Sequence, residues 1–438
     1  MKRTVGMIVA IGALLAGMVV LSLLCYLAAG ALAGVAVKLG APPSYGAAVA
    51  NALTILLVVV MVTASLLTVA ERKWSALMQQ RIGANRILVF GNPLGGVPYL
   101  LADALKMLTK EATSPATRSR LMFELAPVLS FAPVFMLFAV IPVGPEVTVL
   151  GQRVALMVAS PDAGLLYIFA ISSVAVYGTS LGGWASNNKA GLLGGVRASS
   201  QMISYEVSLG LSLVGLMMAY RTLRLDEMVV AQGYPVLGFL PALGILLQPA
   251  AFLIFFASAF AETKRAPFDL PEGESEIVGY FVEYSGMKFG MMFLAEFVEI
   301  VVLAGMVVAL FLGGWHPILF EGWLRANLSP LWFAAVGGGA FLAKMVFLTW
   351  LQLMLRWLLP RFRYDQIQLL CWKMLLPAAI ANVFITGAVI LIDPSLTLLA
   401  WIGLAEIVLF VGVTAVAARA PAEEHGHAAH AAGHAGGH

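Results

Sequence analysis

Two cysteines, Cys25 and Cys371, are all that this chain holds, and both fall in or at the edge of apolar segments far apart in sequence. They form neither a disulfide framework nor a set of iron–sulfur ligands. Charge is also scarce, at 11% of the 438 residues, and the net charge is +3. That gives no case for nucleic-acid binding, which needs a basic surface. No P-loop and no dinucleotide fingerprint occur. Any electron or nucleotide chemistry must therefore be supplied by partners. What the chain does have is apolar surface: 61% of its residues are hydrophobic and its mean hydropathy is +0.92. No soluble domain needs so much, so the chain reads as a polytopic, all-α membrane protein.

A bilayer core about 30 Å thick takes about 20 apolar residues per helix. That length predicts ten spans, at 6–33, 46–70, 122–142, 164–184, 204–220, 239–261, 289–313, 333–356, 373–392 and 396–417. The apolar run after Met-Lys-Arg, Val5 to Val37, is longer than a signal-peptide core and reads as an uncleaved first span. With the 71–121 loop in the cytoplasm, only Lys38, Arg153, Arg221, Arg224 and Arg325 of the 26 basic residues fall on the far side, and Lys344 lies within a span. The other twenty share the near side, so both termini are expected in the cytoplasm. Residues 421–438, which carry five of the six histidines, read as a solvated, disordered tail, with metal binding as the alternative.

Three polar segments gather on the near side. In the first, Leu101, Leu105 and Leu108 recur at helical spacing, with Asp103, Lys106 and Lys110 on other faces. This predicts an amphipathic helix at the membrane interface, or one packed on a partner protein. The second runs from Gly183 to Gln201, rich in small residues, with Lys189 and Arg197 placed to pair with acids. The third is an acidic insert from Glu262 to Lys288, carrying Glu262, Asp269, Glu272, Glu274, Glu276 and Glu283 with Lys264, Arg265 and Lys288. Taken alone it would read equally well as a solvated loop. Its Pro267 and Pro271 stop helices and aim side chains, as a cavity mouth requires.

Within the spans, Glu206, Glu296, Glu299 and Lys344 would be costly facing lipid and are expected to face protein or water. Carboxyl groups taken out of water beside one another hold protons more tightly, so a chain of them can relay protons near neutral pH. The structural alternative is that Lys344 simply neutralises one of the glutamates.

Together, Glu71-Arg-Lys73, Gln80-Arg-Ile-Gly83, Ala102-Asp-Ala-Leu-Lys106, Gly183-Trp-Ala-Ser-Asn-Asn188, Ser204-Tyr-Glu-Val207, Arg265-Ala-Pro-Phe-Asp-Leu-Pro-Glu-Gly-Glu-Ser-Glu276, Glu283-Tyr-Ser-Gly-Met-Lys288 and Pro360-Arg-Phe-Arg-Tyr-Asp365 resemble the motifs of the H subunits of bacterial type I NADH–quinone oxidoreductase, respiratory complex I. The resemblance runs from about residue 46 to 392. It implies a core of eight spans over 46–392, with residues 1–45 and 393–420 adding one span at each end. It implies a quinone-access chamber shared with soluble partners and lined or gated by Arg72, Arg197, Arg265, Asp269, Glu272, Glu274 and Glu276. Glu206, Glu283 and Glu296 match a line of glutamates that would relay protons or charge. Arg361, Arg363 and Asp365 match a contact with the peripheral arm.

On this resemblance the chain binds no cofactor of its own. Quinone is the substrate, and FMN and iron–sulfur clusters belong to partner subunits. Other membrane subunits, soluble iron–sulfur subunits and the lipid bilayer are its partners, in a bacterial inner membrane. Two positions depart from the pattern: Ala84 stands where proline is usual, and Glu299 is an acid the pattern does not require. The membrane anchor of an energy-converting hydrogenase and a stand-alone ion antiporter are the rival expectations. The antiporter would call for repeated halves, which the sequence does not show.

Overall fold

The structure, a computed structural model, describes residues 2–88, 91–92, 94–238, 240–270, 279–318 and 321–417. Two of its spans begin with proline in the first turn, at Pro43 and Pro330, and one begins at a side-chain cap, Asn188. The long helices are α1 (Lys2–Lys38), α2 (Pro43–Met78), α4 (Arg120–Phe138), α5 (Gly164–Ala185), α6 (Lys189–Tyr220), α10 (Met287–Phe311), α12 (Pro330–Leu358), α13 (Tyr364–Ile392) and α14 (Thr397–Ala417). These nine, among the described residues, are long and apolar enough to cross a membrane. Shorter helices are α3 (Pro98–Thr109), α7 (Leu225–Gln232), α8 (Gly244–Leu247), α9 (Pro249–Glu262) and α11 (Glu321–Asn327).

Three boundaries differ from the sequence expectation. The span expected at 239–261 is broken: α8 ends, Gln248 takes φ −144°, ψ 70°, and α9 restarts with Pro249 in its first turn. Proline cannot donate the helical hydrogen bond there, so the break falls where it costs least. The 183–201 loop shrinks to a turn, because α6 starts at Lys189, capped by the Asn188 side chain accepting from the Ala190 amide at 3.1 Å. Small residues permit this: a Cβ at Gly183 would overlap the Gly191 carbonyl oxygen. Finally, an unforeseen antiparallel hairpin, β1 (Gly144–Val149) with β2 (Gln152–Leu156), follows α4.

At the axis stands α10, in which every residue from Ala295 to Phe311 is buried. A helix apolar on all sides belongs in the centre of a bundle. Around it pack α2, α4 and α12, while α6 gathers α5, α9 and α13. The first helix, α1, closes on the hairpin and on α12. Tyr26 donates its hydroxyl to the Pro145 carbonyl at 2.7 Å, and a Cβ at Gly338 would overlap Ser22. Helix α2 has 36 residues and is roughly 54 Å long at 1.5 Å per residue, far more than a bilayer core requires. Its last turns therefore carry Glu71, Arg72 and Lys73 to the polar end of the bundle.

Candidate functional site

The chain leaving α9 reads Glu262-Thr-Lys-Arg265, and Lys264 takes φ 56°. A left-handed conformation costs a non-glycine residue about 1–2 kcal/mol. Here it turns the chain so that both bases reach acids. Lys264 Nζ lies 3.7 Å from Glu299 Oε2, and Arg265 Nη2 lies 3.5 Å from Glu296 Oε2. Glu296 and Glu299 are three residues apart, which places them on one face of α10.

Arg265 does more than pair with Glu296. Its Nη1 donates to Glu71 Oε2 at 3.2 Å, and its guanidinium lies 4.2 Å from the centroid of the Phe297 ring. Arg356 of α12 is a second ion-pair partner of Glu71. The Tyr280 hydroxyl stands 3.5 Å from Glu296 Oε1. Three helices and the loop after α9 thus converge on one buried guanidinium.

Around this knot the acids form a line. Asp269 lies within electrostatic reach of Glu296, Glu296 of Glu299, Glu299 of Glu262, and Glu262 of Glu206. Glu206 sits on α6, half-buried, where its carboxylate accepts from Ser173 Oγ at 2.5 Å and from Ser172 Oγ at 3.0 Å. Bare carboxylates inside a bundle are expensive, and Asp269, Glu296, Glu299 and Glu206 are provided with bases or hydroxyl donors.

The polar end is held together by α6. Gln201 Nε2 donates to the carbonyls of Ala261 at 2.7 Å and Phe268 at 2.9 Å, fixing the loop after α9. Tyr205 donates to the Ile367 carbonyl at 2.9 Å, which fixes the start of α13. Between them Asp269 accepts from Arg361 Nη2 at 2.5 Å. Burial raises the Asp269 carboxyl above the usual carboxylate range, with the Arg361 guanidinium opposing. A cavity of about 310 Å³ opens here, lined by Arg197, Asp269, Arg361, Arg363, Tyr364 and Asp365. Arg363 and Asp365 pair at 3.3 Å on the exposed rim.

Helix α3 shows its two faces clearly. Leu101, Leu105 and Leu108 are exposed together, as expected of an interfacial helix. Leu100, Asp103, Ala104 and Met107 turn toward α2, α4 and α10, where, with Leu108 at the edge and with Phe131, Gly290, Met291 and Phe293, they line an apolar cavity of about 380 Å³. Asp103 also pairs with Arg72 at 2.8 Å. One residue therefore belongs both to the greasy cavity and to the charged end.

The expected site residues are thus distributed unevenly. Arg265, Asp269, Glu296 and Glu206 fall along one path, with Glu299. Glu283 lies elsewhere, accepting from Asn188 Nδ2 at 2.5 Å near the start of α6. Glu272, Glu274 and Glu276, like the histidine-rich tail, are outside the described residues. Lys344 does not pair with a span glutamate. Its Nζ donates to the carbonyls of Leu312, Gly314 and His316 at 2.8, 2.9 and 2.7 Å, at the opposite end of α10.

Four residues outside the expected set join the path: Glu71, Glu262, Lys264 and Arg356. Glu71 and Arg356 are detectable in the sequence as the first charges after long apolar runs. Their pairing is not, because 285 positions separate them. No group of three or more histidine, cysteine or acidic side chains placed to hold a metal occurs among the described residues. Cys25 and Cys371 are buried in separate clusters.

Residues 50–387 match the protein family described as NADH dehydrogenase. The second NADH-quinone oxidoreductase H subunit of Syntrophobacter fumaroxidans is 46% identical over 341 residues, which is 77% of this chain and 95% of that protein. The second H subunit of Geobacter sulfurreducens is 44% identical over 334 residues, 76% of this chain and 93% of its own length. The first H subunit of Cytophaga hutchinsonii is 42% identical over 340 residues, 77% and 94% respectively.

Proposed function

Since the chain belongs to the NADH dehydrogenase family, among the H subunits of NADH-quinone oxidoreductases, we propose that it forms the membrane wall of that enzyme's quinone-access chamber and couples quinone reduction to proton translocation. The observation that carries this reading is the junction at Asp103. An apolar cavity beside an interfacial helix includes Asp103, and the partner of Asp103, Arg72, follows Glu71 of the buried acid–base network in the chain.

The physical logic is direct. Quinone is lipophilic, yet its head must meet an electron donor outside the bilayer. The cavity bounded by Met107, Phe131, Met291 and Phe293 offers a way in from the lipid. Arg72, Arg265 and Asp269 mark the polar inner end. Reduction to quinol consumes two protons, so negative charge develops at the head group. The line Asp269–Glu296–Glu299–Glu262–Glu206 feels that charge and answers by shifting protons and ion-pair partners. Lys264 and Arg265 hold the centre of the line, so protonation of Glu296 or Glu299 releases a base. Glu283 supports the start of α6 from the Asn188 side.

Flavin and iron–sulfur clusters would be carried by soluble partners at the Arg361–Asp365 face, since this chain's two cysteines are buried and apart. The distribution of Lys and Arg supports placing that face in the cytoplasm of a bacterial cell. The test is Arg265→Ala in the assembled enzyme. NADH oxidation with quinone should fall about tenfold or more, while oxidation with ferricyanide, which bypasses the chamber, stays at wild-type rate. Wild-type quinone turnover would remove the network from the mechanism.

A further inference from the structure

Resting on that reading of the acid line, we infer that Glu406, on the helix beyond the family match, is a positioning residue that sets where the broken helix α9 delivers its charged end. A carboxylate in the apolar run Thr397–Ala417 needs a partner, because lipid offers none. Its Oε2 accepts from the backbone amide of Ala250 at 3.3 Å. That amide is in the first turn of α9, where helical amides have no partner of their own and the helix dipole is positive.

A second contact makes the attachment rigid. A Cβ at Gly403 would overlap the carbonyl oxygen of Leu246, so α14 lies directly against α8 just before the break. Gln248, at the break, donates to Thr386 Oγ1 of α13 at 3.0 Å. The start of α9 is therefore held by the two last helices of the chain. A 14-residue helix is a rod roughly 21 Å long. A shift at Ala250 is transmitted along it to Glu262 and on to Lys264 and Arg265, and the pairing of those two bases with Glu299, Glu296 and Glu71 spans gaps of only a few ångströms. The core of a relative without α14 would leave the break to other partners. Here the chain carries its own clamp.

The test uses the whole assembled enzyme in proteoliposomes. Glu406→Leu removes the acceptor, and Glu406→Asp keeps the carboxylate but withdraws it by one methylene. Glu406→Gln keeps an oxygen at the same reach. Leu and Asp variants should retain ferricyanide activity and the apparent KM for quinone, and lose about fivefold in protons moved per quinone reduced, within the usual range of coupling between sites. The Gln variant should recover most of that ratio. A wild-type ratio in Glu406→Asp would overturn the inference, as would equal loss in Asp and Gln. If Glu406→Leu fails to assemble, the Asp and Gln pair still decides. Glu262→Gln and Arg265→Ala run alongside: if both pump normally, the reading of the acid line has failed. If they are impaired and Glu406→Asp is not, only the clamp has failed.

Discussion

Arg265 and Glu296 approach to 3.5 Å with 8% and 2% of their surfaces exposed, and Arg265 reaches Glu71 from the same guanidinium. Removing one partner of a buried pair leaves an uncompensated charge, at about 3–5 kcal/mol. Arg265→Ala should therefore lower the thermal stability of the assembly as well as quinone turnover. Adding Glu296→Gln should recover part of the stability. Strict additivity in the double variant would show that the two side chains are not coupled.

The portal makes a prediction about substrate length. A Cβ at Gly290 would come within 2.7 Å of Met107 Sδ, so a larger side chain intrudes between α10 and α3. Gly290→Leu should raise the KM for long-tailed quinones several-fold and leave that for short-tailed analogues near wild type. An equal effect on both would place the entrance elsewhere.

Much of this architecture is readable in the residues alone, and what is not readable has a common cause. Residue type and spacing reveal the spans, the exposed Leu101–Leu105–Leu108 face and the acids that could not face lipid. Pairing across distance leaves no such trace. Glu71 meets Arg265 194 positions away, and nothing in either local sequence says so. The break at Gln248 is hidden because one proline after an apolar stretch reads as a helix start as easily as a discontinuity. The β1–β2 hairpin is hidden because Gly144 to Leu156 connects two strong spans and reads as loop. Lys344 reads as a partner for acids because sequence does not reveal that α10 ends within its reach.

Asp269 gives a pH dependence. Burial places its folded-state pKa above the unfolded one. Such a group favours folding at pH below its unfolded value, and that contribution is lost as pH rises through its folded value. Asp269→Asn should thus gain thermal stability relative to wild type as pH is raised from the ordinary carboxylate range upward. If the difference between the two proteins shrinks or reverses over that range, the ion pair with Arg361 outweighs burial.

Lys344 should prove structural rather than part of the relay. Its ammonium satisfies three carbonyls just past the end of α10, where the helix dipole also favours a cation. Lys344→Met leaves those oxygens without their donor, each worth about 1–3 kcal/mol when buried. Assembly yield should drop sharply, yet complexes that do form should pump at the wild-type ratio.

Glu206 is the end of the acid line most open to a clean test, because its partners are neutral. Hydroxyl donors from Ser172 and Ser173 fix its carboxylate in place without an opposing base. Replacing both serines with alanine should therefore free the carboxylate from the position it holds on α6. Glu206→Gln removes the proton-carrying group altogether. Both variants should oxidise NADH with ferricyanide at wild-type rates, since that reaction does not use the membrane. Proton translocation should fall about tenfold in Glu206→Gln, equivalent to roughly 1.4 kcal/mol or more on the barrier, and less in the double serine variant. The ordering carries the argument: a relay acid tolerates a looser position better than loss of the proton-carrying group. Unchanged translocation in a correctly assembled Glu206→Gln enzyme would end the relay at Glu262.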